Sequence, residues 1–123
     1  MLLCPAATFA AASLIHFDVA LPLGFATIHE EPFTGAAIPE TIIAGVLLGG
    51  TIAFLANPTG SWGLALTTSL FALAGVIVGL SFILHGPVSR LGDLIYHLAI
   101  LFTLFITIGL LIWWRRWSSR SAG

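Results

Sequence analysis

The sequence predicts an all-α integral membrane protein, a bundle of four transmembrane helices. Three observations predict this fold class. Hydrophobic residues make up 59% of the 123 residues and charged residues only 7%, whereas about 25% of the residues in a soluble domain are charged. The mean hydropathy is +1.09. The chain also contains four apolar stretches of about 20 residues, the length that crosses a bilayer, separated by Pro, Gly and polar residues.

The two N-terminal spans are predicted at residues 2–21 and 39–56. A Pro-Leu-Gly sequence starting at Pro22 ends the first span, although an end near Ile28 is an alternative. The second span begins with Pro39 at its first helical position, where the missing N–H costs little. Residues 22–38 then form a loop.

The two C-terminal spans are predicted at residues 61–84 and 91–114. Gly86 and Pro87 stop the third span, and the fourth is followed by a tail at residues 115–123. Loops between the spans are short, so the chain forms a single membrane domain.

Arginine sets the predicted orientation of the chain. Arg115, Arg116 and Arg120 lie in the tail, and cytoplasmic segments near span ends carry the excess of positive residues. The C-terminus is therefore predicted in the cytoplasm, and an even number of spans places the N-terminus there as well. The first apolar stretch is interpreted as a retained span because residues 1–5 lack the positive charge of a signal peptide. A bacterial-type plasma membrane fits this pattern.

Several functional classes are excluded by what the sequence lacks. With no lysine and only four arginines, nucleic-acid binding is not expected. A single cysteine, Cys4, allows neither an intrachain disulfide nor a thiolate metal cluster. The motifs of serine hydrolases, phosphate-binding loops and zinc proteases are missing too. Enzymatic activity is therefore not favoured.

Two histidines form the main candidate site. In the predicted topology every acidic residue and every histidine lies at or near the outer face. His16 and His97 lie roughly 7.5 and 9 Å inside the span ends at 1.5 Å per residue. Two imidazoles at one depth on neighbouring helices could ligate a haem b or a transition metal. Asp93, one turn before His97, could orient that imidazole as a carboxylate partner.

Simpler interpretations stand beside this one. An imidazole inside the membrane can also form a hydrogen bond across helices without any cofactor. Three further residues are secondary candidates for metal binding. Glu40 is otherwise explained by the positive end of the helix dipole, His85 by capping of the third helix, and His29 by a solvated outer loop.

Pairs of glycines mark places where helices approach closely. Gly45 and Gly49 form a GxxxG step in the second span, and Gly75 and Gly79 form one in the third. Whether these steps pack inside the bundle or against another subunit is left open by the sequence.

Three functions remain as predictions. The first is a subunit of a larger membrane complex, of the redox type, that carries a haem b or metal through His16 and His97. The second is a purely structural accessory subunit, and the third is a small oligomeric transporter or channel. The expected partners are membrane lipid and either a larger membrane complex or further copies of the chain.

Overall fold

A computed structural model describes residues 2–22, 27–28, 34–85 and 91–121. Within these residues four helices occur, in the predicted order. They are α1 (Leu3–His16), α2 (Thr34–Ala56), α3 (Trp62–His85) and α4 (Leu91–Ser121). Between α1 and α2, the two-residue strands β1 (Leu21–Pro22) and β2 (Thr27–Ile28) pair antiparallel, with Leu21 opposite Ile28.

Three of these helices, α2, α3 and α4, are long and apolar enough to cross a membrane. Large apolar side chains lie on their outer surfaces, with Leu55 74% and Phe82 75% exposed, as expected where lipid covers the protein. The 14-residue helix α1 is apolar but shorter. At 1.5 Å per residue it rises about 21 Å, less than the roughly 30 Å of the hydrocarbon layer.

The first helix ends five residues before the predicted boundary at residue 21. Asp18 has a φ of 70°, in the left-handed region. The amide of Val19 donates to the carbonyl of Leu14, and the amide of Asp18 donates to that of Ile15. These two bonds form a Schellman motif, which closes a helix through its own backbone. The prediction of a helix to residue 21 was wrong because this motif acts before the Pro22 breaker.

The second helix begins at Thr34 rather than at Pro39, so Pro39 lies inside the helix and not at its first position. Proline at this point removes one backbone hydrogen bond, the one to Gly35. The helical φ of proline remains compatible with the helix. Glu40 consequently lies in the second turn of α2. The connection between α1 and α2 is therefore residues 17–33 and not the predicted 22–38, shifted by five residues at the same length.

The remaining boundaries agree with the prediction within one residue at all but one point. Helix α3 is shifted by one residue, and α4 begins at Leu91 as predicted. Helix α4 then continues to Ser121, so residues 115–121 of the predicted tail belong to α4. Neither Pro nor Gly occurs after Gly109 within α4, and arginine is a good helix former.

The helices pack in the order α1, α2, α3, α4, and α1 touches α4 at only a few positions. All four helices contribute to one apolar core: Ala6, Phe9, Ile43, Leu47, Ala72, Val76, Ile100 and Leu104. Close approach of α2 and α3 depends on Gly75, since a Cβ there would lie 2.5 Å from the side chain of Ile43.

A second apolar cluster closes one end of the bundle. Leu2 from the start of α1 packs there with Ala65 and Leu111, and Phe54 and Trp62 lie against them. The indole N–H of Trp62 donates to the carbonyl oxygen of Leu111 at 2.9 Å. This cluster fixes the start of α1 and leaves its other end, at His16, at the opposite end of the bundle.

Candidate functional site

The face of α1 that meets α2 changes from apolar to polar near the end of α1. Ser13 and His16 are three residues apart and so lie on one face of α1. On α2, Glu40 is three residues and Thr41 four residues after Ala37, which again places them on one face. The two polar faces meet because α1 packs mainly on α2.

The central contact joins His16 to Glu40. Nδ1 of His16 lies 2.8 Å from Oε2 of Glu40, and Glu40 is only 6% exposed. Two arrangements of hydrogen satisfy this geometry: the imidazole N–H donates to a carboxylate, or a carboxylic O–H donates to the imidazole. They differ in the position of one proton.

Glu40 needs this contact because it lies inside α2 and not at the start of the helix. Glu40 lies six residues after Thr34, or about 9 Å along the helix. The helix dipole acts within the first turn only, so the predicted explanation of Glu40 by its position at the helix start is wrong. A buried carboxyl group requires a hydrogen-bonding partner, and His16 is such a partner.

Hydroxyl groups extend the polar contact toward the core. The hydroxyl of Ser13 lies within hydrogen-bond distance of the Thr41 hydroxyl and of the Ala37 carbonyl oxygen. Thr41 itself donates to the Ala37 carbonyl at 2.8 Å. Ser13 is buried, and its hydroxyl therefore adds a second polar connection between α1 and α2.

Tyr96 of α4 adds a third helix to this end of the bundle. Its hydroxyl is buried and forms no hydrogen bond among the residues that the structure describes. The ring of Tyr96 packs edge-on against His97, with ring centroids 5.1 Å apart. An unpaired buried hydroxyl is costly, which makes Tyr96 a candidate functional residue.

His97 is held by its own helix. Nδ1 of His97 donates to the backbone carbonyl oxygen of Asp93 at 2.8 Å. A carbonyl can only accept, so Nδ1 carries the hydrogen and Nε2 of the neutral ring has the free lone pair. Nε2 packs against α3, and a Cβ at Gly79 would lie 2.5 Å from it. The predicted partner of this imidazole was the Asp93 carboxylate, but the observed partner is the Asp93 backbone oxygen.

The two histidines predicted to share a cofactor lie at the same end of the bundle but have different neighbours. His16 pairs with Glu40 of α2, whereas His97 faces Gly79 of α3. Helices α1 and α4, predicted to be neighbours, meet at few positions. In each ring Nδ1 takes part in a hydrogen bond. A haem b or metal shared by His16 and His97 stays a prediction.

The secondary metal candidates are not brought together. Nδ1 of the exposed His85 donates to the Ser81 carbonyl at 2.9 Å, one turn earlier in α3, and capping of the last carbonyls of α3 by His85 stays a prediction. Glu40 is the partner of His16, and His29 lies outside the described residues. Within residues 2–22, 27–28, 34–85 and 91–121, no group of three or more His, Cys, Asp or Glu side chains could hold a metal ion.

Three members of this site and its main pairing were not predicted from the sequence. Ser13, Thr41 and Tyr96 were not singled out, and Glu40 was treated apart from His16. One signal was available: Ser13 lies one turn from His16, and Thr41 and Tyr96 are adjacent in sequence to Glu40 and His97. Polar residues that cluster by helical spacing in otherwise apolar helices indicate such a site.

The site is therefore defined by its own geometry. Its members come from α1, α2 and α4 and lie at one end of the bundle, around a buried carboxyl group paired with an imidazole. No protein-family model matches the chain, and neither a curated protein nor a solved structure shows significant similarity to it.

Proposed function

We propose that this chain is a small integral-membrane subunit whose functional centre is the His16–Glu40 pair, acting as a proton-binding site. The observation that carries the proposal is a carboxyl group that is 6% exposed and lies 2.8 Å from an imidazole. Ionisable side chains inside a membrane are costly, pair with one another and occur in proton relays. The His16–Glu40 pair has these features.

The chemistry of the pair is proton exchange. With one proton between them, the two groups form either an ion pair or a neutral hydrogen bond. Addition of a second proton leaves imidazolium beside carboxylic acid, and the pair gains one positive charge. Ser13 and Thr41 supply hydroxyl groups beside the pair that can donate or accept. A change in protonation therefore alters the charge that holds α1 against α2.

The pair exchanges protons with the aqueous side at the nearer end of the bundle. Farther along the helices, the hydroxyls of Thr51, Ser69 and Thr103 each donate to a carbonyl of their own helix. Hydroxyls bonded in this way serve the local backbone. This arrangement favours a site that senses or supplies protons within a complex over a proton channel formed by one chain.

Four inserted helices are part of the proposal. Fourteen residues separate Leu2 from His16, and fourteen separate Glu40 from Phe54. Each helix therefore rises about 21 Å between the apolar cluster at Leu2 and Phe54 and the His16–Glu40 pair. Helix α1 thus accompanies α2 through most of the bilayer despite its length. Both termini then lie on the side of the C-terminal arginines, which the positive-inside rule assigns to the cytoplasm.

Association with other membrane helices completes the proposed role. A Cβ at Gly45 or at Gly49 would meet nothing within 4 Å, and both residues are exposed. Their neighbours Ile42 and Ile52 are exposed as well. Small residues at such spacing let a second helix approach closely. This face of α2 supports assembly with further copies or with a larger membrane complex.

Infrared difference spectroscopy tests the proton site. The protein in liposomes is titrated between about pH 4 and pH 9, which brackets ordinary carboxyl and imidazole groups. We expect a carboxyl band that titrates, is lost in Glu40→Gln and is shifted in His16→Gln. Asp93→Asn is the matched control and keeps the band. Persistence of the full band in Glu40→Gln would contradict the proposal.

The second candidate function is the haem b or transition-metal site at His16 and His97. It is favoured by one observation: both imidazoles lie at the same end of the bundle, and each is held by a hydrogen bond at Nδ1, as the second ring nitrogen of a metal-ligating histidine usually is. The visible spectrum and elemental analysis of the purified protein test it. A Soret band or a stoichiometric metal that His97→Ala removes would support this function, and the absence of both would leave the proton site alone.

A further inference from the structure

The end of the bundle opposite to the His16–Glu40 pair has a groove of about 460 Å³ between α1, α2 and α4. Thr51 and Leu2, both buried, form its floor. Its walls are apolar side chains that are largely exposed, among them Leu3, Leu55 and Trp113. An exposed apolar groove of this kind suits an acyl chain.

The described charged residues at the mouth of the groove are positive. Helix α4 carries Arg115, Arg116 and Arg120 directly after the tryptophans that line the groove. Among the described residues no Asp or Glu lies on α4 beyond Asp93, at the other end of that helix. A phosphate-bearing headgroup would therefore meet positive charge at the level where the apolar groove ends.

Helical spacing separates the three arginines. Arg116 and Arg120 follow Trp113 at three and seven residues, so they continue the edge of α4 that carries this groove residue. Arg115 lies on another face, where its guanidinium stacks over the ring of Trp62 at 5.6 Å from the centroid. This cation–π contact engages Arg115 with α3.

We infer that this groove binds one anionic phospholipid, with an acyl chain along Leu3, Leu55 and Trp113 and the phosphate headgroup against Arg116 and Arg120. Basic residues beside membrane helices attract anionic lipid headgroups, and tryptophan is enriched at the headgroup level. This inference requires insertion in a membrane but does not depend on the proton site.

Native mass spectrometry of the whole chain in detergent tests the inference. The probes are phosphatidylglycerol and phosphatidylcholine with identical acyl chains, together with soluble glycerol phosphate. We expect one phosphatidylglycerol to bind in preference to phosphatidylcholine. Glycerol phosphate should not compete, because it has no acyl chain to fill the groove. Displacement of the lipid by glycerol phosphate would assign the site to free phosphates and overturn the inference.

Matched arginine variants locate the headgroup. Arg116→Gln should weaken phosphatidylglycerol binding about fivefold, the effect of one basic residue near an anionic headgroup. Arg115→Gln removes the same charge from the adjacent residue and should leave binding within about twofold of the native value. Equal losses in the two variants, or equal binding of both lipids to the native chain, would overturn the inference.

A variant of the groove tests the acyl chain separately. Leu3→Trp enlarges an exposed wall residue and should weaken the binding of both lipids by a similar factor. Size-exclusion profiles and helical circular dichroism identify any variant that misfolds. In that event Leu55→Trp, on the opposite wall, replaces it. Unchanged lipid binding in a folded groove variant would contradict the assignment.

Discussion

Nδ1 of His16 lies 2.8 Å from Oε2 of Glu40, and this contact joins the last residue of α1 to the second turn of α2. The pair lies beside Ser13 and Thr41, which connect the same two helices. Because the partners are 24 residues apart in sequence, each buried group depends on tertiary packing for its hydrogen bond. Stability and proton binding are therefore coupled at this point.

The first prediction concerns the energetic coupling of the pair. His16→Leu and Glu40→Leu should each lower the free energy of unfolding by about 3 kcal/mol, because each leaves the other group buried without this partner. The double variant should cost clearly less than the sum. Reversible unfolding in mixed micelles measures these values. His85→Leu, which loses only a bond within α3, is the control with an effect near 0.5 kcal/mol. Additive losses would exclude coupling.

The second prediction concerns the contact between His97 and α3. Gly79→Ala should lower the free energy of unfolding by about 1 to 3 kcal/mol, the usual cost of overpacking, since its Cβ would meet Nε2 of His97. The same change at Gly109, where a Cβ meets nothing, should be neutral or stabilise α4 by up to about 1 kcal/mol. Adding His97→Ala to Gly79→Ala should recover part of the loss. Equal effects at the two glycines would contradict the observed packing.

The third prediction concerns the buried hydroxyl of Tyr96. Tyr96→Phe should raise the free energy of unfolding by about 1 kcal/mol, because a buried hydroxyl without a partner is unfavourable. Ser69→Ala is the comparison, since it removes a buried hydroxyl that is hydrogen-bonded to the Ala65 carbonyl and should lower stability. Chemical unfolding of the native protein and of the two variants measures these differences in free energy. Destabilisation by Tyr96→Phe would mean that the hydroxyl has a partner in the native protein.

The fourth prediction concerns assembly through α2. Gly45→Leu and Gly49→Leu should shift the protein to a smaller assembly, since bulky side chains on an exposed face prevent close helix approach. Native electrophoresis after extraction in mild detergent reports the size. Gly109→Leu makes the same change at another open position, on α4, and should leave the assembly intact. A monomer in the unmodified protein would rule out the homo-oligomer.

The fifth prediction concerns the number of inserted helices. In intact cells, a membrane-impermeant thiol reagent should label Thr27→Cys but neither Ser119→Cys nor the native, exposed Cys4. Permeabilisation should make Ser119→Cys and Cys4 reactive. The single-site variants are made in a Cys4→Ser background. If α1 stayed outside the membrane, Cys4 and Thr27→Cys would react together from the same side, and four inserted helices would be excluded.

Much of the fold follows from local sequence. Helix α3 and the start of α4 agree with the predicted boundaries because long apolar runs end at evident breakers. The end of α1 was missed because the Schellman motif depends on the left-handed conformation of Asp18, which sequence pattern does not reveal. The start of α2 was missed because proline is more frequent at the first position of a helix, where Pro39 was predicted, than at the sixth, where it lies.

The candidate site was predicted only in part. His16, Glu40 and His97 all belong to it, since ionisable groups in apolar helices stand out by chemistry alone. Their partners did not follow from that rule. His97 packs against Gly79, and His16 forms a hydrogen bond with Glu40, because of the way in which the helices are rotated about their axes. Equally apolar helix faces give no signal for that rotation.

The sequence by itself determined that this protein has four apolar helices, and it predicted the acidic residues and histidines at one end of them and three of the four arginines at the other. Hydropathy and charge are sums over local residues, so no contact is needed to read them. Only the tertiary structure decided that Glu40 pairs with His16 and that Gly45 faces outward while Gly75 and Gly79 face inward. The reason is physical: apolar side chains interact without direction, whereas a hydrogen bond or a glycine contact exists only at one rotation of two helices.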